Sequence, residues 1–435
     1  MHWFSWDLNL KVRLFGEGIF HIFTWMYYPF VALHFSAAFG KDTAGLLLMA
    51  PPLLGIFASL IGGQFADRIG RRPTMVFASA LESSMFLLFA LSPSPWIDYL
   101  AFIGISVAAS IYWPASTAMT ADLTTEEERR VVFATFYTTM NIGVVLGPVI
   151  GAIFFIQYRT ALLLVCAAVS SLLTILLYLL VRESLPAAAR LERDRAGTIR
   201  EQLRSYGVIF RDKMFALYIA AGVLIAIVFM QLDLYMGIYI TEHVPRQTLF
   251  AWGDWSLSVA PTDVFGWLIG LNGLLVVLFT LPVTRMFAHW SERNALVFSS
   301  VLSGVGMFAM SLTANVWLLF ACIAVFTLGE LIRTPVAQTF VSRYAPEASR
   351  GQYMGASTLQ FSIGRFLAPT TIGLSEWLSP PGVYGLILLC ALLSALLYDQ
   401  MFRALAKQPR RHGENSRTAK EQDAAGKGKA QTEVV

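Results

Sequence analysis

Long apolar runs, punctuated by short polar breaks, cover most of this chain. They recur near 13–35, 44–66, 74–92, 97–121, 131–156 and 160–181, and again near 213–240, 264–287, 295–313, 316–340, 352–376 and 380–402. A helix of about 20 residues, rising about 1.5 Å per residue, crosses a hydrocarbon core of about 30 Å. The pattern therefore predicts an all-α integral membrane protein with twelve spanning helices. The run at 74–92 is short and carries Glu82, which makes it the weakest by hydropathy.

A mixed-charge stretch divides the runs into two sets of six. The predicted organisation is an N-terminal six-helix half at 1–181, a connector at 182–212, a C-terminal six-helix half at 213–402 and a disordered tail at 403–435. Six spans, a connector and six more suggest internal duplication. Segments 62–73 and 281–294 echo each other as basic, turn-prone loops after the second helix of each half.

Composition agrees with this division. The chain has 435 residues, of which 56% are hydrophobic and 14% charged. A soluble domain carries about 25% charge, which it needs to cover its surface. The first run is too long for the apolar core of a cleavable signal and reads as the first span. Net charge is only +4, and its placement matters more than its size. Short loops on one side hold Arg68, Arg71, Arg72, Arg129, Arg130, Arg285, Arg293, Arg343 and Arg350; those on the other hold Lys41, Arg159 and Arg246. Positive charge marks the cytoplasmic side, so both termini are expected there. No nucleic-acid partner is expected from this distribution.

Several chemistries lack the residues they need. Cys166, Cys322 and Cys390 each lie within an apolar run, with no spacing that suits a metal or a disulfide pair. They read as small packing residues. No GxxxxGK[ST] loop is present to bind a nucleotide, and no nucleophile, base and orienting group occur together. The expectation is no metal, no cofactor and no enzymatic activity.

Charges inside the spans carry the candidate chemistry. Arg333 and Arg365 are the basic residues placed well within spans, and Glu17, Glu82, Asp233 and Glu330 the acidic ones. Each mid-helix charge costs about 3 kcal/mol on insertion, so such groups face a partner or a wet cavity. Glu330 and Arg333 stand at i and i+3, a spacing that allows an ion pair which proton uptake would weaken. A static structural pair is the competing reading. Asp233 lies near Met230, Tyr235, Met236 and Tyr239, where apolar surroundings disfavour a charged carboxylate; hydration at the outer helix end is the alternative. Glu17 and His21 are four residues apart, a spacing for a proton relay, although a lone histidine more often serves packing. Glu82 is expected at the cytoplasmic end of the third span, in a structural role. Trp25, Tyr27, Tyr28, Tyr112, Trp113, Phe136, Tyr137, Met230, Tyr235 and Phe361 are candidates to line a cavity for flat, lipophilic substrates. Membrane aromatics also serve interfaces and helix packing.

Residues 62–73 read GGQFADRIGRRP. This segment, with Gly63, Asp67, Arg68, Gly70, Arg71 and Arg72, resembles the signature loop of the major facilitator superfamily between its second and third helices. The physical reading agrees, because Gly70 permits a tight turn and Asp67 can pair with Arg71. Such a cluster would latch the two halves and release during switching. In the fifth span, Gly143, Gly147, Pro148 and Gly151 look like the antiporter motif of the drug-exporting branch, with Ala152 in place of a final glycine. Glycines at i, i+4 and i+8 make a smooth ridge for close packing. Residues 130–133, 229–233, 327–330 with Thr334 and Pro335, and the outer loop near 241–263 are also similar to proton-coupled drug exporters of that branch.

The resemblance implies the major facilitator fold and a proton-coupled exporter of lipophilic, cationic drugs working by alternating access. It matches Glu330 to an acid tied to cation and proton binding, and Asp233 to a proton-handling carboxylate. Expected partners are small lipophilic substrates, protons and membrane lipids, and a monomer is expected. Two departures matter. Residues 102–121 lack the buried arginine of many drug exporters, and Phe136 stands where an acid is expected, leaving Glu17 as a candidate replacement. A metabolite uptake symporter or facilitator and a lipid flippase of the same fold are the rival readings.

Overall fold

A computed structural model describes residues 6–185, 212–253, 255–346 and 350–407. Most of the connector expected at 182–212, and the tail beyond Lys407, lie outside these residues.

Each apolar run becomes helical, whole or in pieces, and several breaks fall where backbone chemistry requires them. The first span starts as α1 (Leu8–Tyr27), where Asp7 accepts a hydrogen bond from the Asn9 amide at 2.7 Å. Pro29 has no N–H to offer the ladder. The chain passes it in a single 3-10 turn and continues as α2 (Val31–Phe39). The second span is α3 (Lys41–Leu47) and α4 (Ala50–Arg68), divided just before Pro51. Gly70, at φ 125°, makes the reversal into α5 (Arg71–Leu91), a backbone conformation that a side chain would strain. The N-terminal half then runs through α6 (Pro95–Asp122), α7 (Glu126–Gln157) and α8 (Arg159–Leu180). A reciprocal capping box of Thr125 and Glu128 opens α7.

The C-terminal half begins with α9 (Lys213–Met230) and α10 (Tyr235–His243), one span broken at 231–234. An antiparallel hairpin follows, β1 (Gln247–Trp252) with β2 (Trp255–Val259). It is a small departure from the predicted all-α architecture, confined to the long loop. Next come α11 (Pro261–Met286), α12 (Glu292–Met310) and α13 (Val316–Tyr344). The eleventh run is three short helices, α14 (Arg350–Ser357), α15 (Leu359–Leu367) and α16 (Thr370–Leu374). The last helix, α17 (Pro380–Lys407), extends five residues into the stretch expected to be a disordered tail.

Among the described residues, ten helical segments are long and apolar enough to cross a membrane. The first and eleventh runs are not among them. The first carries Lys11, Arg13 and Glu17, and the eleventh is interrupted at Thr358 and again at Ala368 and Pro369. In lipid such interruptions survive only where protein groups satisfy the freed backbone. Gln231 does this for both broken spans of the C-terminal half. Its amide donates to the carbonyls of Ile227 at 3.0 Å and Ala368 at 3.3 Å, and its oxygen accepts from Thr371 at 2.7 Å.

Among the described residues, glycines set two of the seams between the halves. The first joins α7 to α11, where Cβ atoms added at Gly266 and Gly270 would come within 2.6 Å of Pro148 O and of Val149 Cγ2 respectively. The second lies at the end away from the basic loops. There α3 packs on α16 so tightly that a Cβ on Gly45 would meet the Gly373 nitrogen at 2.7 Å. Lys41 pairs with Glu242 at 2.7 Å, and the Trp377 indole donates to Asp42 at 3.3 Å. That end is closed.

Candidate functional site

Among the described residues, each half holds a buried polar centre around a charged side chain within its spans. In the N-terminal half, one turn of α1 sets Arg13 above Glu17, and their side chains pair at 2.9 Å. Arg13 is 0% exposed and Glu17 6%. Helix α6 supplies the remaining partners. Tyr112 donates to Glu17 Oε1 at 2.7 Å and Ser116 at 3.0 Å. Arg13 donates to Thr120 Oγ1 at 3.0 Å and also to the Ser116 hydroxyl. Glu17 Oε2 is buried and accepts no hydrogen bond. A cavity of about 250 Å³ opens beside this pair, lined by Trp113, Phe133, Phe136 and Met140 as well as the polar residues.

This arrangement corrects the relay expected between Glu17 and His21. The carboxylate is held by Arg13 and α6, while the His21 ring accepts a hydrogen bond from the Trp25 indole at 2.9 Å. The sequence also missed Arg13. It sits where hydropathy places the start of the first span, so it counted as a boundary residue, yet α1 begins at Leu8 and carries it inside. Arg13 touches both places where the sequence departs from the resemblance. It contacts α6, the helix that lacks its own arginine, and its guanidinium lies 5.3 Å from the ring centre of Phe136.

Glu82 also differs from expectation. It stands mid-way along α5, 5% exposed, rather than at the helix end. Among the described residues its carboxylate makes no hydrogen bond or ion pair.

In the C-terminal half, Glu330 projects from α13 and is partly buried. Asn272 on α11 donates through Nδ2 to Glu330 Oε2 and to Thr327 Oγ1, each at 3.0 Å. Arg333 does not pair with Glu330, contrary to the expected bridge. Its guanidinium turns to Tyr398 at 2.9 Å and Gln360 at 3.4 Å, leaving Nε buried without a partner. Tyr398 and Gln360 come from α17 and α15, so sequence proximity on α13 loses to partners on neighbouring helices.

Asp233 occupies the break between α9 and α10, and its Oδ1 is buried without a hydrogen bond. The charges of Arg365 and Glu330 both act on it. Arg365, on α15, lies 5.8 Å from the ring centre of Tyr28, a cation–π contact between the halves. Tyr28 stacks edge-on with Trp25, and Trp25 with His21. Aromatic contacts therefore lead from α1 to Arg365 in the C-terminal half.

Of the aromatic cavity candidates, Trp113 and Phe136 line the N-terminal cavity. Tyr112 is buried and bonded to Glu17. Tyr235 belongs to the core, packed on Tyr384 at 5.2 Å, and is corrected as a lining residue. Met230 is partly buried and Phe361 is 52% exposed. The Tyr137 side chain lies outside the described residues.

The signature loop forms a clasp. Arg71 donates to Asp67 at 2.7 Å, to the Ala66 carbonyl at 2.6 Å and to Asp122 at 3.2 Å. Backbone amides of Arg71 and Arg72 donate to the Glu183 carboxylate at 3.0 and 3.2 Å. These partners belong to α4, α6 and the segment after α8, so these contacts join elements on the N-terminal side. In the antiporter motif, Gly143, Gly147 and Gly151 all face α1. A Cβ there would come within 2.9, 2.5 and 2.1 Å of His21, Trp25 and Met26 atoms.

The fold and these motifs agree with what comparison shows. A model described as Major Facilitator Superfamily matches residues 14–262 and 249–432. The chain belongs to the major facilitator superfamily. It is 40% identical over 416 residues to a Na(+), Li(+), K(+)/H(+) antiporter of Planococcus maritimus, covering 93% of this chain and 98% of that one. Similarity to the multidrug resistance protein MdtH of Photorhabdus laumondii is lower, 26% over 391 residues, covering 86% and 85%. A solved POT family transporter in complex with 5-aminolevulinic acid superposes with a TM-score of 0.75 at 16% identity, covering 91% of this chain and 96% of that one. At that identity the likeness concerns the fold.

Proposed function

We propose that this protein is a proton-driven antiporter that exports monovalent cations, with Glu330 as the exchange group and Asp233 as a second carboxylate. The observation that carries this reading is Glu330 itself, a carboxylate inside the membrane span with no cationic partner among the described residues. A carboxylate can neutralise its charge with a proton or with a cation, and the two compete. Alternation between them across the membrane produces exchange. The 40% identity to the Na(+), Li(+), K(+)/H(+) antiporter of Planococcus maritimus supports inorganic monovalent cations as cargo. Charge moved down the potential gains about 2.3 kcal/mol per elementary charge per 100 mV. No cofactor enters this scheme, and the protein acts as a transporter rather than an enzyme. It sits as a monomer in the plasma membrane, with both termini and the basic loops on the cytoplasmic side.

Lipophilic organic cations are a second class of cargo. The aromatic cavity beside Glu17 favours them, since Trp113, Phe133 and Phe136 offer ring faces and Oε2 offers an unused acceptor. The distant multidrug resistance relatives support the same class.

The test uses the full chain in proteoliposomes with an imposed pH gradient, acid inside. Added Na+, Li+, K+ or ethidium should release protons, reported by a pH dye, and Glu330→Gln should abolish the signal. Failure of the wild type to move protons with any of these ions would sink the proposal.

A further inference from the structure

The surroundings of Glu330 have a geometry that a simple proton site does not require. Asn272 is 5% exposed and Thr327 0%. Thr327 gives its own hydroxyl hydrogen to the Ile323 carbonyl at 2.7 Å. Its oxygen therefore presents lone pairs, and one of them accepts from Asn272 Nδ2 at 3.0 Å. Glu330 Oε2 also accepts from that nitrogen at 3.0 Å. Two oxygens from different residues thus converge on one atom bearing partial positive charge. Both neighbours are acceptors, which fixes the nitrogen of the amide toward them.

We propose that Glu330, Thr327 and Asn272 form the binding site for an alkali metal cation, which takes over from the Asn272 amide N–H as the positive partner of the two oxygens. A half-turn of the amide presents Oδ1 instead. The set then becomes one carboxylate, one hydroxyl and one amide carbonyl, the oxygen ligands that hard cations take. A single carboxylate matches a single positive charge. Divalent calcium sites instead draw on several carboxylates. The nearest cation along the helix, Arg333, is committed to Tyr398 and Gln360 and does not fill the role. The rotated amide also accepts the O–H of a protonated Glu330. Proton and metal ion therefore require the same carboxylate oxygen and the same amide rotamer, and they exclude each other.

This inference rests on the cation/proton exchange proposed above, and the experiment separates the two. Na+-driven proton release is measured in proteoliposomes for wild type, Thr327→Val, Thr327→Ser and Asn272→Leu, with thermal melting as a check on folding. Thr327→Val and Asn272→Leu keep shape but lose an oxygen, and each should raise the KM for Na+ at least tenfold. Thr327→Ser keeps the hydroxyl and should stay near wild type. Should either replacement fail to fold, Asn272→Gln, which moves the oxygen by one methylene, should change the order of preference among Li+, Na+ and K+. A wild type that exchanges no alkali cation overturns the exchange reading and this site with it. A wild type that exchanges Na+, with folded variants of unchanged KM and unchanged ion preference, overturns the site alone.

Discussion

Glu330 and Arg333 stand one helical turn apart on α13, yet they face different partners, Asn272 and Thr327 for the acid and Tyr398 and Gln360 for the base. Arg13 and Glu17, also one turn apart, pair directly at 2.9 Å. The two halves therefore hold similar residues in opposite electrostatic states. The N-terminal pair is internally neutral, whereas the C-terminal acid has no cationic partner among the described residues.

The separation predicts different outcomes for two variants one turn apart. Glu330→Gln should abolish exchange while leaving the fold intact, because the amide still accepts from Asn272. Arg333→Met should retain exchange that depends on Glu330. Its cost falls on stability, about 1–3 kcal/mol for the Tyr398 hydroxyl left without its partner, offset by removal of a buried charge. Dye-monitored exchange and thermal melting of both proteins check this. Loss of exchange in a stably folded Arg333→Met would show that the two residues work as a pair.

The N-terminal pair should behave as a unit. Arg13→Met leaves Glu17 as an uncompensated buried carboxylate and should destabilise the protein by about 3–5 kcal/mol. The double variant Arg13→Met with Glu17→Gln removes both charges and should recover much of that loss. Melting midpoints of the two single variants and the double variant form the cycle that measures the coupling. Additive effects would contradict the paired geometry.

Much of the architecture was legible from hydropathy alone because a spanning helix needs a long apolar run. The helix breaks at Pro29 and Pro51 were signalled by proline. The break at 231–234 was not, since its cause is tertiary: Gln231 satisfies the freed carbonyls through partners on α15 and α16. At the candidate site, individual carboxylates were visible as costly charges in apolar runs. Their partners were not. Spacing on one helix suggested Glu17 with His21 and Glu330 with Arg333, but the deciding groups, Tyr112, Asn272 and Tyr398, arrive from other helices. Asn272 is uncharged and left no hydropathy signal of its own. Arg13 was hidden by lying where a span boundary was expected.

The antiporter motif should fail for steric reasons at Gly147. A Cβ there would lie 2.5 Å from Trp25 Cβ and 2.8 Å from the Trp25 carbonyl carbon, and backbone cannot swing aside. Gly147→Val should therefore separate α7 from α1 and disturb the contact between Trp25 and Tyr28 that leads to Arg365. Exchange should fall at least tenfold, with a change in tryptophan emission. Wild-type exchange in Gly147→Val would show that the ridge is not needed for close approach.

The closed end offers a test of which contacts hold it shut. Lys41 and Glu242 pair at 2.7 Å but are 23% and 40% exposed at the side chain. Exposed pairs contribute about 0–1 kcal/mol, so Lys41→Gln should change little. The packing of α3 on α16 is less forgiving, because a Cβ on Gly45 meets the Gly373 nitrogen at 2.7 Å and the Pro369 carbonyl oxygen at 3.0 Å. Gly45→Val should hold this end open. Ser36 lines a cavity of about 510 Å³ at the same end and serves as the reporter. With Cys166, Cys322 and Cys390 replaced, a Ser36→Cys protein should react with a polar maleimide several-fold faster when Gly45→Val is present. The same protein should lose exchange, because a transporter that cannot close cannot complete its cycle. Equal labelling in the two backgrounds would place the seal elsewhere. Faster labelling with Lys41→Gln alone would assign it to the ion pair instead.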